Sequence, residues 1–387
     1  MYTLLLSLIY LAFVSLGLPD SLLGSAWPIM HQDFQVPLSQ VGLVTMAISV
    51  STILSSLLSE RVTKKFGTGW VTVVSVFLTA VALLGFSFTT SFWMLLFWAI
   101  PYGLGAGAID AAMNNYVAIH YTSRHMSWLH CFWGVGALIS PYVMSWALTY
   151  ATWPRGYQTV GIVQTVIGLL LLISLPLWRI HKRPDEAEAD TKILGMRGAF
   201  AIPGVLPLVL GFFGYCAAES TCMFWCSSYL VKARSFPEET AAALASLFFI
   251  GMTVGRFLSG FIADRAGDKR MIRYGTALAV LGFLLILLPI PSNGFALAGF
   301  LLAGLGCAPI YPSIIHTTPV CFGAKNSQAI IGIQMAFAYT GSTFMSPLFG
   351  LLAEHVAMEL LPVYLLVFFG FMTVMLEKTH KICNPSP

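Results

Sequence analysis

The chain has 387 residues, of which 57% are hydrophobic and only 9% are charged. Because a soluble domain carries roughly 25% charged residues, this composition excludes an ordinary water-soluble protein and indicates that lipid is the solvent for much of the surface. The formal net charge of +4 is too small to suggest a nucleic-acid partner, and none is expected.

The N-terminal stretch, residues 1–20, begins the first of a series of long apolar segments. It lacks the basic leading region and the small-residue cleavage site of a signal peptide, so it is expected to stay as a membrane span. A helix needs about 20 apolar residues to cross roughly 30 Å of hydrocarbon. The segments of that length are 4–29, 39–60, 68–89, 92–119, 126–150, 156–179, 204–231, 239–262, 271–290, 293–317, 327–353 and 360–377. The sequence therefore predicts an all-α membrane protein with twelve transmembrane helices.

One long polar connector divides these segments into two groups of six. It runs from Arg179 to Arg197 and contains too few apolar residues to fold by itself. This pattern predicts an N-terminal six-helix bundle over residues 1–180, a cytoplasmic connector over 181–200 and a C-terminal six-helix bundle over 201–387.

Lysine and arginine are unevenly distributed between the loops. Alternate loops on one side hold most of them: Arg61, Lys64, Lys65, Arg124, Arg179, Lys182, Arg183, Lys192, Arg197, Arg265, Lys269, Arg270, Arg273, Lys325, Lys378 and Lys381. The loops of the opposite side hold Arg155, Lys232 and Arg234. By the positive-inside rule, both termini and the connector are predicted to be cytoplasmic, which requires an even number of spans.

Three acidic residues lie well inside apolar segments, whereas the others lie in loops or near span ends. They are Asp20, Asp110 and Glu219. A charge near the middle of a bilayer costs roughly 2.5 kcal/mol or more, and it persists when it faces a partner or a wet cavity. Burial favours the neutral form of a carboxyl group, so such a group can take up and lose a proton as its surroundings change. These acids are the candidates for coupling to a proton, and the alternative for each is a buried acid satisfied by neighbouring helices.

Asp110 belongs to the stretch GLGAGAIDAAMNNY, residues 103–116. Asp110 and Asn114 are four residues apart, so a helix places them on one face, with Asn115 beside them. Carboxylates and amides can hydrogen-bond sugar hydroxyls, and Trp27, Trp133 and Trp225 are candidate aromatic platforms. The predicted substrate-binding residues are Asp110, Asn114, Asn115, His130, Gln164, Glu219, Trp225 and Gln334. The alternative role for each tryptophan is that of an interfacial anchor or a packing residue, and the alternative for His130 is packing near the cytoplasmic rim.

The seven cysteines and eight histidines form no pattern of metal ligands. There is no CxxC pair, and His120, His125 and His130 recur every five residues, which scatters them round a helix. HExxH and GxSxG motifs are also absent from the sequence, which argues against an intramembrane enzyme. No metal site and no cofactor are expected besides a coupling proton, with sodium as the alternative ion.

The two groups of six segments repeat one another. Three pairs of motifs recur 201 to 206 residues apart in equivalent segments: Glu60-Arg61 and Asp264-Arg265, Gly103-Leu-Gly105 and Gly304-Leu-Gly306, and Ser140-Pro141 and Ser346-Pro347. A nearly constant offset indicates duplication of a six-helix unit in parallel orientation. Two such halves around a midplane cavity are the architecture of a rocking transporter.

The segment GFIADRAGDKR, residues 260–270, resembles the loop signature G-x-x-x-D-R-x-G-x-K/R of the major facilitator superfamily, and the resemblance extends over essentially the whole chain. The first-half copy departs from the signature at Ser56, Glu60 and Thr63. The resemblance implies a loop that latches the cytoplasmic ends of the halves in one state and so biases a two-state equilibrium. It implies a cytoplasmic gate made of Glu60, Arg61, Arg256, Asp264 and Arg265. Arg256 is expected to join Asp264, and the alternative is an arginine that only extends toward the membrane surface.

Within the superfamily, three stretches resemble the fucose:proton symporter group of sugar permeases. They are Leu18-Pro-Asp20-Ser-Leu-Leu before Pro28, Ile109-Asp110-Ala-Ala-Met-Asn114, and the Gly-rich, aromatic-Pro run Gly304-Leu-Gly-Cys-Ala-Pro-Ile-Tyr-Pro312. The resemblance implies that the proton-linked and substrate-linked acids of that group fall on Asp20 and Asp110.

Together these features predict a secondary active transporter that moves a small polar solute, a sugar, by proton symport through alternating access. The chain is expected to be a multi-pass protein of a bacterial inner (cell) membrane and, on the family resemblance, a monomer. A proton-coupled exporter of amphipathic compounds or drugs is the alternative, because the same fold and acids serve both. A non-transporting receptor on this fold would bind a ligand without counterflow in liposomes.

Overall fold

The computed structural model describes residues 2–180, 193–288 and 293–383, and the regular structure in these ranges is helical. The helices of the first range are α1 (Tyr2–Gly17), α2 (Leu22–Asp33), α3 (Val41–Phe66), α4 (Thr68–Ser87), α5 (Phe92–His120), α6 (Ser123–Tyr150), α7 (Trp153–Ile173) and α8 (Leu175–Ile180). Those that follow are α9 (Gly195–Ala201), α10 (Val205–Arg234), α11 (Glu238–Ala266), α12 (Asp268–Leu287), α13 (Asn293–Cys307), α14 (Ile310–Phe322), α15 (Ala324–His355) and α16 (Leu361–Cys383). Short 3₁₀ turns, Leu38–Gln40 and Met358–Leu360, precede α3 and α16. The predicted all-α class is confirmed.

The predicted membrane spans correspond to long helices. Within the described residues, eleven helical segments are long and apolar enough to cross a membrane. The remaining predicted span falls on α15, which has 32 residues and extends about 48 Å. α15 is not among the eleven, and it begins with the polar residues Lys325, Asn326 and Gln328. Counting α15, the order of twelve spans predicted from hydropathy is found in the structure.

Two of the spans are interrupted near their middle. The first is divided between α1 and α2 by a turn over residues 18–21, in which the Asp20 amide donates to the Gly17 carbonyl at 3.2 Å. The tenth is divided between α13 and α14 at Ala308 and Pro309. Irregular backbone at membrane depth is tolerated only where it is buried in protein or lines a water-filled cavity. The breaks therefore mark places where polar chemistry is expected.

Contacts divide the chain into two compact units. The first contains Met1–Tyr116 and Leu129–Gly195, and the second contains Val117–Trp128 and Met196–Pro387. The end of α5 and the start of α6 thus belong to the second unit. Residues 181–192 of the predicted connector lie outside the described residues, and the domain boundaries stay a prediction.

The duplication seen in the sequence is also present in the packing within each unit. A Cβ added to Gly103 of α5 would lie 2.3 Å from the Ile48 carbonyl oxygen of α3. A Cβ added to Gly304 of α13 would lie 2.1 Å from the Phe248 carbonyl oxygen of α11. Ile48 and Phe248 are 200 residues apart, almost the offset of the two glycines. Both glycines therefore let a span approach its equivalent neighbour at backbone distance.

Candidate functional site

Asp20 lies at the break in the first span and is held by two other helices. Its Oδ1 accepts a hydrogen bond from the Tyr102 hydroxyl of α5 at 3.2 Å, and its Oδ2 accepts one from the Trp133 indole N–H of α6 at 2.9 Å. The Ser21 hydroxyl donates to the Ala137 carbonyl of α6 at 3.1 Å. Asp20 is nevertheless exposed and lies close to the middle of the span Thr3–Asp33. The break thus exposes a carboxylate at mid-depth, and hydrogen bonds from a tyrosine and a tryptophan fix its orientation.

A second group of polar side chains, linked by hydrogen bonds, lies in the same unit, on α5 and α6. The Asn114 side-chain amide donates to Oδ1 of Asp110 at 2.8 Å, as expected for side chains four residues apart on a helix. Nε2 of His130 lies 3.1 Å from Oδ1 of Asn114, an arrangement in which the imidazole is the donor. All three side chains are buried, and the His130 ring packs edge-on against Phe13. Asn114 therefore connects a buried carboxyl group to a titratable imidazole.

Helical periodicity explains why these groups converge. Asp110 and Asn114 are four residues apart on α5, and His130 and Trp133 are three apart on α6, so each pair shares one face.

A small cavity adjoins the break and is lined in part by Ser15, Pro19, Thr79, Tyr102 and Gln164. Oε1 of Gln164 accepts from the Thr79 hydroxyl at 2.6 Å, and its Nε2 donates to the Ser15 carbonyl at 2.5 Å. Both ends of this predicted substrate-binding amide are therefore engaged by protein. These contacts tie α1, α4 and α7 together and favour a packing role for Gln164.

Glu219 lies in the second unit, near the middle of α10. Its Oε1 is 3.2 Å from Nη2 of Arg256 in α11 and 3.0 Å from the Tyr215 hydroxyl. The Tyr215 hydroxyl is also 2.9 Å from the Cys307 carbonyl at the end of α13. The structure thus differs from the expectation that Arg256 joins Asp264, because eight residues of helix separate those two positions by about 12 Å.

The other predicted substrate-binding residues are held by packing contacts. The Trp225 indole N–H donates to the Ser346 carbonyl at 2.9 Å. Oε1 of Gln334 accepts from the Thr318 hydroxyl at 2.8 Å, while its Nε2 is buried with no hydrogen-bond partner among the described atoms. Asn115 is buried. Of the predicted set, the structure brings Asp110, Asn114 and His130 together.

Asp264, a predicted gate residue, binds the start of α6 within the second unit. Its carboxylate accepts from the Arg124 backbone amide at 3.0 Å and from the Thr122 hydroxyl at 3.1 Å, and it lies 3.2 Å from Nε of Arg124. A carboxylate at a helix N-terminus is stabilised by the unsatisfied amides and the helix dipole. The predicted gate residues Arg61 and Arg265 are exposed.

Asp268 binds the same helix start, and it was not predicted. It accepts from the Ser123 hydroxyl at 2.6 Å and lies 2.7 Å from Nδ1 of His316 in α14. The other ring nitrogen of His316 is 3.2 Å from the Tyr121 carbonyl. The sequence feature that could have indicated this contact is a Thr-Ser pair at the start of the fifth span, because such residues are typical of a helix N-terminus.

Glu60, the repeat equivalent of Asp264, also binds backbone amides where a helix begins. Its oxygens accept from the amides of Leu194 at 2.7 Å and Gly195 at 2.9 Å, at the start of α9. Lys64 lies 2.9 Å from the same carboxylate. The two equivalent acids therefore share a type of contact, although each binds a different helix.

Sequence reasoning missed two tyrosines that contact the predicted acids. Tyr215 lies one helical turn before Glu219, so a search for aromatic hydroxyls on the face of that acid would have found it. Tyr102 contacts Asp20, which is 82 residues away along the chain, so helical spacing does not indicate it. Trp133 was a candidate aromatic platform, but its hydrogen bond to Asp20 could not be inferred from spacing.

Comparisons with known proteins agree with this architecture. The chain matches the model of the Major Facilitator Superfamily over residues 9–245 and again over 208–379. A relative is "Bypass of stop codon protein 6" of Saccharomyces cerevisiae, 22% identical over 90% of this chain and 77% of that protein. The glucose/mannose transporter GlcP of Bacillus subtilis is 22% identical over 88% of this chain and 86% of its own length. The fosmidomycin resistance protein of Escherichia coli is 21% identical, with 94% and 90% covered.

Solved structures share the fold. The E. coli fucose:proton symporter FucP superposes with a TM-score of 0.73 at 18% identity, covering 97% of this chain and 98% of that chain. The proton:xylose symporter XylE superposes with a TM-score of 0.80 at 13% identity, covering 98% and 95%.

Proposed function

Since the chain belongs to the major facilitator superfamily and is a multi-pass membrane transporter rather than an enzyme, we propose that it carries a sugar or a sugar-like polar solute together with a proton. The observation that carries this proposal is the Asp20 carboxylate at the break in the first span, exposed and held by Tyr102 and Trp133. An ionisable group in lipid is costly, so its open side is expected to face water.

The chemistry around the break suits a polyhydroxylated solute. A carboxylate accepts hydrogen bonds from hydroxyl groups, and an indole ring offers an apolar face to C–H groups. Asp20 and Trp133 supply both within hydrogen-bond distance of each other. Binding sites for small molecules combine such apolar surfaces with a few fixed polar groups.

The same unit contains groups that can hold the coupling proton. Asp20 is hydrogen-bonded by Tyr102 and Trp133, and Asp110 is connected through Asn114 to His130. In the proposed cycle, protonation of this cluster accompanies solute binding, and loss of the proton on the other side of the membrane accompanies release. Proton and solute then move together, because the carrier switches readily between its two access states only when both are bound or when neither is bound.

The proposed cycle places both termini in the cytoplasm, on the side rich in lysine and arginine. There the contacts of Asp264 with the start of α6, and those of Glu60 with the start of α9, would act as gate contacts that break and form again. We propose that the chain acts as a monomer in a bacterial cell membrane.

The comparisons also keep a second function open. Relatives of similar identity include a glucose/mannose transporter and a drug resistance protein. A proton-coupled exporter of amphipathic compounds is therefore the alternative. The hydrogen-bonding groups around Asp20 and Asp110 favour a polar solute, since an exporter pocket for amphipathic compounds would be lined more evenly by apolar side chains.

Uptake into proteoliposomes tests the proposal. The purified protein is reconstituted, a panel of hexoses and hexose derivatives is supplied outside, and a pH gradient or a sodium gradient is imposed. Accumulation of a sugar driven by the pH gradient is expected. If no sugar accumulates or exchanges under either gradient, the symport proposal fails, and gradient-driven movement of amphipathic drugs would support the exporter.

A further inference from the structure

A histidine lies where the turn between α5 and α6, residues 121–122, meets two other helices. Nδ1 of His316 in α14 is 2.7 Å from Oδ2 of Asp268 in α12 and 3.0 Å from the hydroxyl oxygen of Ser123, the first residue of α6. Its Nε2 is 3.2 Å from the Tyr121 carbonyl oxygen. The turn and the start of α6 belong to the second unit, so all of these contacts lie within one compact unit.

The groups around the ring determine how many protons it must carry. An ionised carboxylate and a backbone carbonyl accept hydrogen bonds and have no proton to donate. The Ser123 hydroxyl donates its own proton to Oδ1 of Asp268 at 2.6 Å, so its oxygen is an acceptor for Nδ1 as well. Both ring nitrogens of His316 must therefore donate, and only the imidazolium form has a proton on each.

Loss of one proton weakens these contacts in a defined way. A neutral imidazole has a single N–H, so either Asp268 or Tyr121 would then face a nitrogen that cannot donate. The charge-assisted hydrogen bond, which is roughly twice as strong as a neutral one, is lost as well. The His316 and Asp268 side chains are only 15% and 14% exposed, so water replaces the lost bonds poorly. The turn is therefore bound more tightly when His316 is protonated.

Each element that packs around His316 carries further charged or titratable groups. They include Tyr121 of the turn, Arg124 and His125 of α6, Asp264 and Arg265 of α11, Asp268 and Lys269 of α12, and Cys321 of α14 itself. Arg265 and Lys269 are exposed to water. Asp264 lies 3.2 Å from Nε of Arg124, and the His125 ring packs edge-on against Trp128. Asp268 is the group of this set whose charge contacts the His316 ring.

The turn is the covalent junction of the two helices that carry the buried cluster of the candidate site. Asn114 on α5 lies seven residues before Tyr121, and His130 on α6 lies seven residues after Ser123. Each distance is about 10 Å along a continuous helix. A movement of the turn relative to α12 and α14 therefore acts on both helices.

We propose that these contacts form a pH-operated latch: the turn between α5 and α6 is bound to α12 and α14 when His316 is protonated and is released when His316 is neutral. The bound state holds one proton more than the released state, so the equilibrium between them shifts by at most about tenfold per pH unit. Acid favours the bound state, and the latch opens as the pH rises.

The latch regulates the carrier from one side of the membrane. In the proposed orientation it faces the cytoplasm. Protons that enter with the solute then favour the bound state and slow further opening on that side, which is a feedback on uptake. This feedback rests on the proposed symport, whereas the latch itself does not.

Hydrogen exchange of residues 121–128 in the purified full chain tests the latch. The protection factor is the exchange rate of the same peptide in denaturant divided by its rate in the folded protein, at one pH. In the wild type it is expected to fall by about tenfold or more between about pH 6 and about pH 8, the range in which histidine changes its charge. In His316→Gln it should change less than about twofold, because glutamine does not titrate. A constant wild-type protection factor over this range would overturn the proposal.

Two further variants separate His316 from its neighbours. Asp268→Asn removes the anion that favours the imidazolium, so the fall in protection should move to lower pH by about one unit or more, even if His316→Gln does not fold. His125→Gln leaves the latch contacts in place and should retain the wild-type pH profile. A wild-type profile in folded Asp268→Asn or His316→Gln, or a flat one in His125→Gln, would overturn the assignment to His316.

This measurement needs no solute, so its outcome is independent of the uptake assay. If no sugar is transported but protection still falls with rising pH, the latch stands and the symport proposal fails. If sugar accumulates and protection does not depend on pH, the latch is refuted and the symport proposal stands.

Discussion

Replacing Gly304 by alanine tests the close packing of α13 on α11. The added Cβ would lie 2.1 Å from the Phe248 carbonyl oxygen and 3.0 Å from the Met252 amide nitrogen, whereas ordinary contacts begin near 3.4 Å. Both nearest groups are backbone, so no side chain can rotate away, and the two helices must separate by about 1 Å. Overpacking of this kind typically costs about 1–3 kcal/mol. The gain in helix propensity from Gly to Ala is about 1 kcal/mol and offsets part of that cost.

The assay is thermal unfolding of the purified protein in detergent, followed by tryptophan fluorescence or loss of the monodisperse peak. A lowering of the midpoint by several degrees is expected for Gly304→Ala and for its repeat equivalent Gly103→Ala, because a domain of this size loses about 2–4 °C per kcal/mol. The matched controls are Gly370→Ala and Gly24→Ala, since a Cβ at either position meets nothing within 4 Å. Equal midpoints for Gly304→Ala and Gly370→Ala would refute the argument that backbone contact requires glycine at position 304.

Three further outcomes follow from the site and the topology. Asp20→Asn is expected to abolish accumulation driven by the pH gradient while solute exchange persists in counterflow, and retained accumulation would remove Asp20 from the coupling role. Asn114→Ala removes the side chain that connects Asp110 to His130. Since hydrogen bonds to charged groups contribute about 1.5–3 kcal/mol, uptake should fall about tenfold or more. The matched control is Asn326→Ala, which removes a side-chain contact to a backbone carbonyl. A fluorescent protein fused after the last residue should fold and fluoresce if the C-terminus is cytoplasmic, and an active periplasmic reporter at the same position would contradict the proposed orientation.

The fold class and the order of the spans could be predicted from the sequence because both depend on local physical requirements. A segment that crosses hydrocarbon must satisfy its own backbone and present apolar side chains, and both demands are visible in about 20 consecutive residues. The pairing of Asp110 with Asn114 is equally local, because helical geometry brings residues four apart into contact. The glycine pairs of the repeat were likewise predicted, and their packing partners recur at nearly the same offset.

The hydrogen-bond and ion-pair partners of the acidic side chains could not be predicted from local sequence in the same way. Asp20 is held by Tyr102 and Trp133, which are 82 and 113 residues away along the chain. Arg256 was expected to join Asp264 on its own helix, yet its guanidinium lies against Glu219 of the preceding span. Gln164 looked available for a solute, although both ends of its amide bond other helices of the same unit.

The amino-acid sequence by itself determined that this protein is a helical membrane protein built from two repeated halves, and which few polar residues lie inside its spans. Tertiary structure decided which of those residues meet, because the rotation and neighbours of each helix depend on contacts between segments that are distant in the chain. Hydrophobicity adds up residue by residue along one segment, whereas a hydrogen bond or an ion pair needs two groups at one place, and only packing supplies that condition.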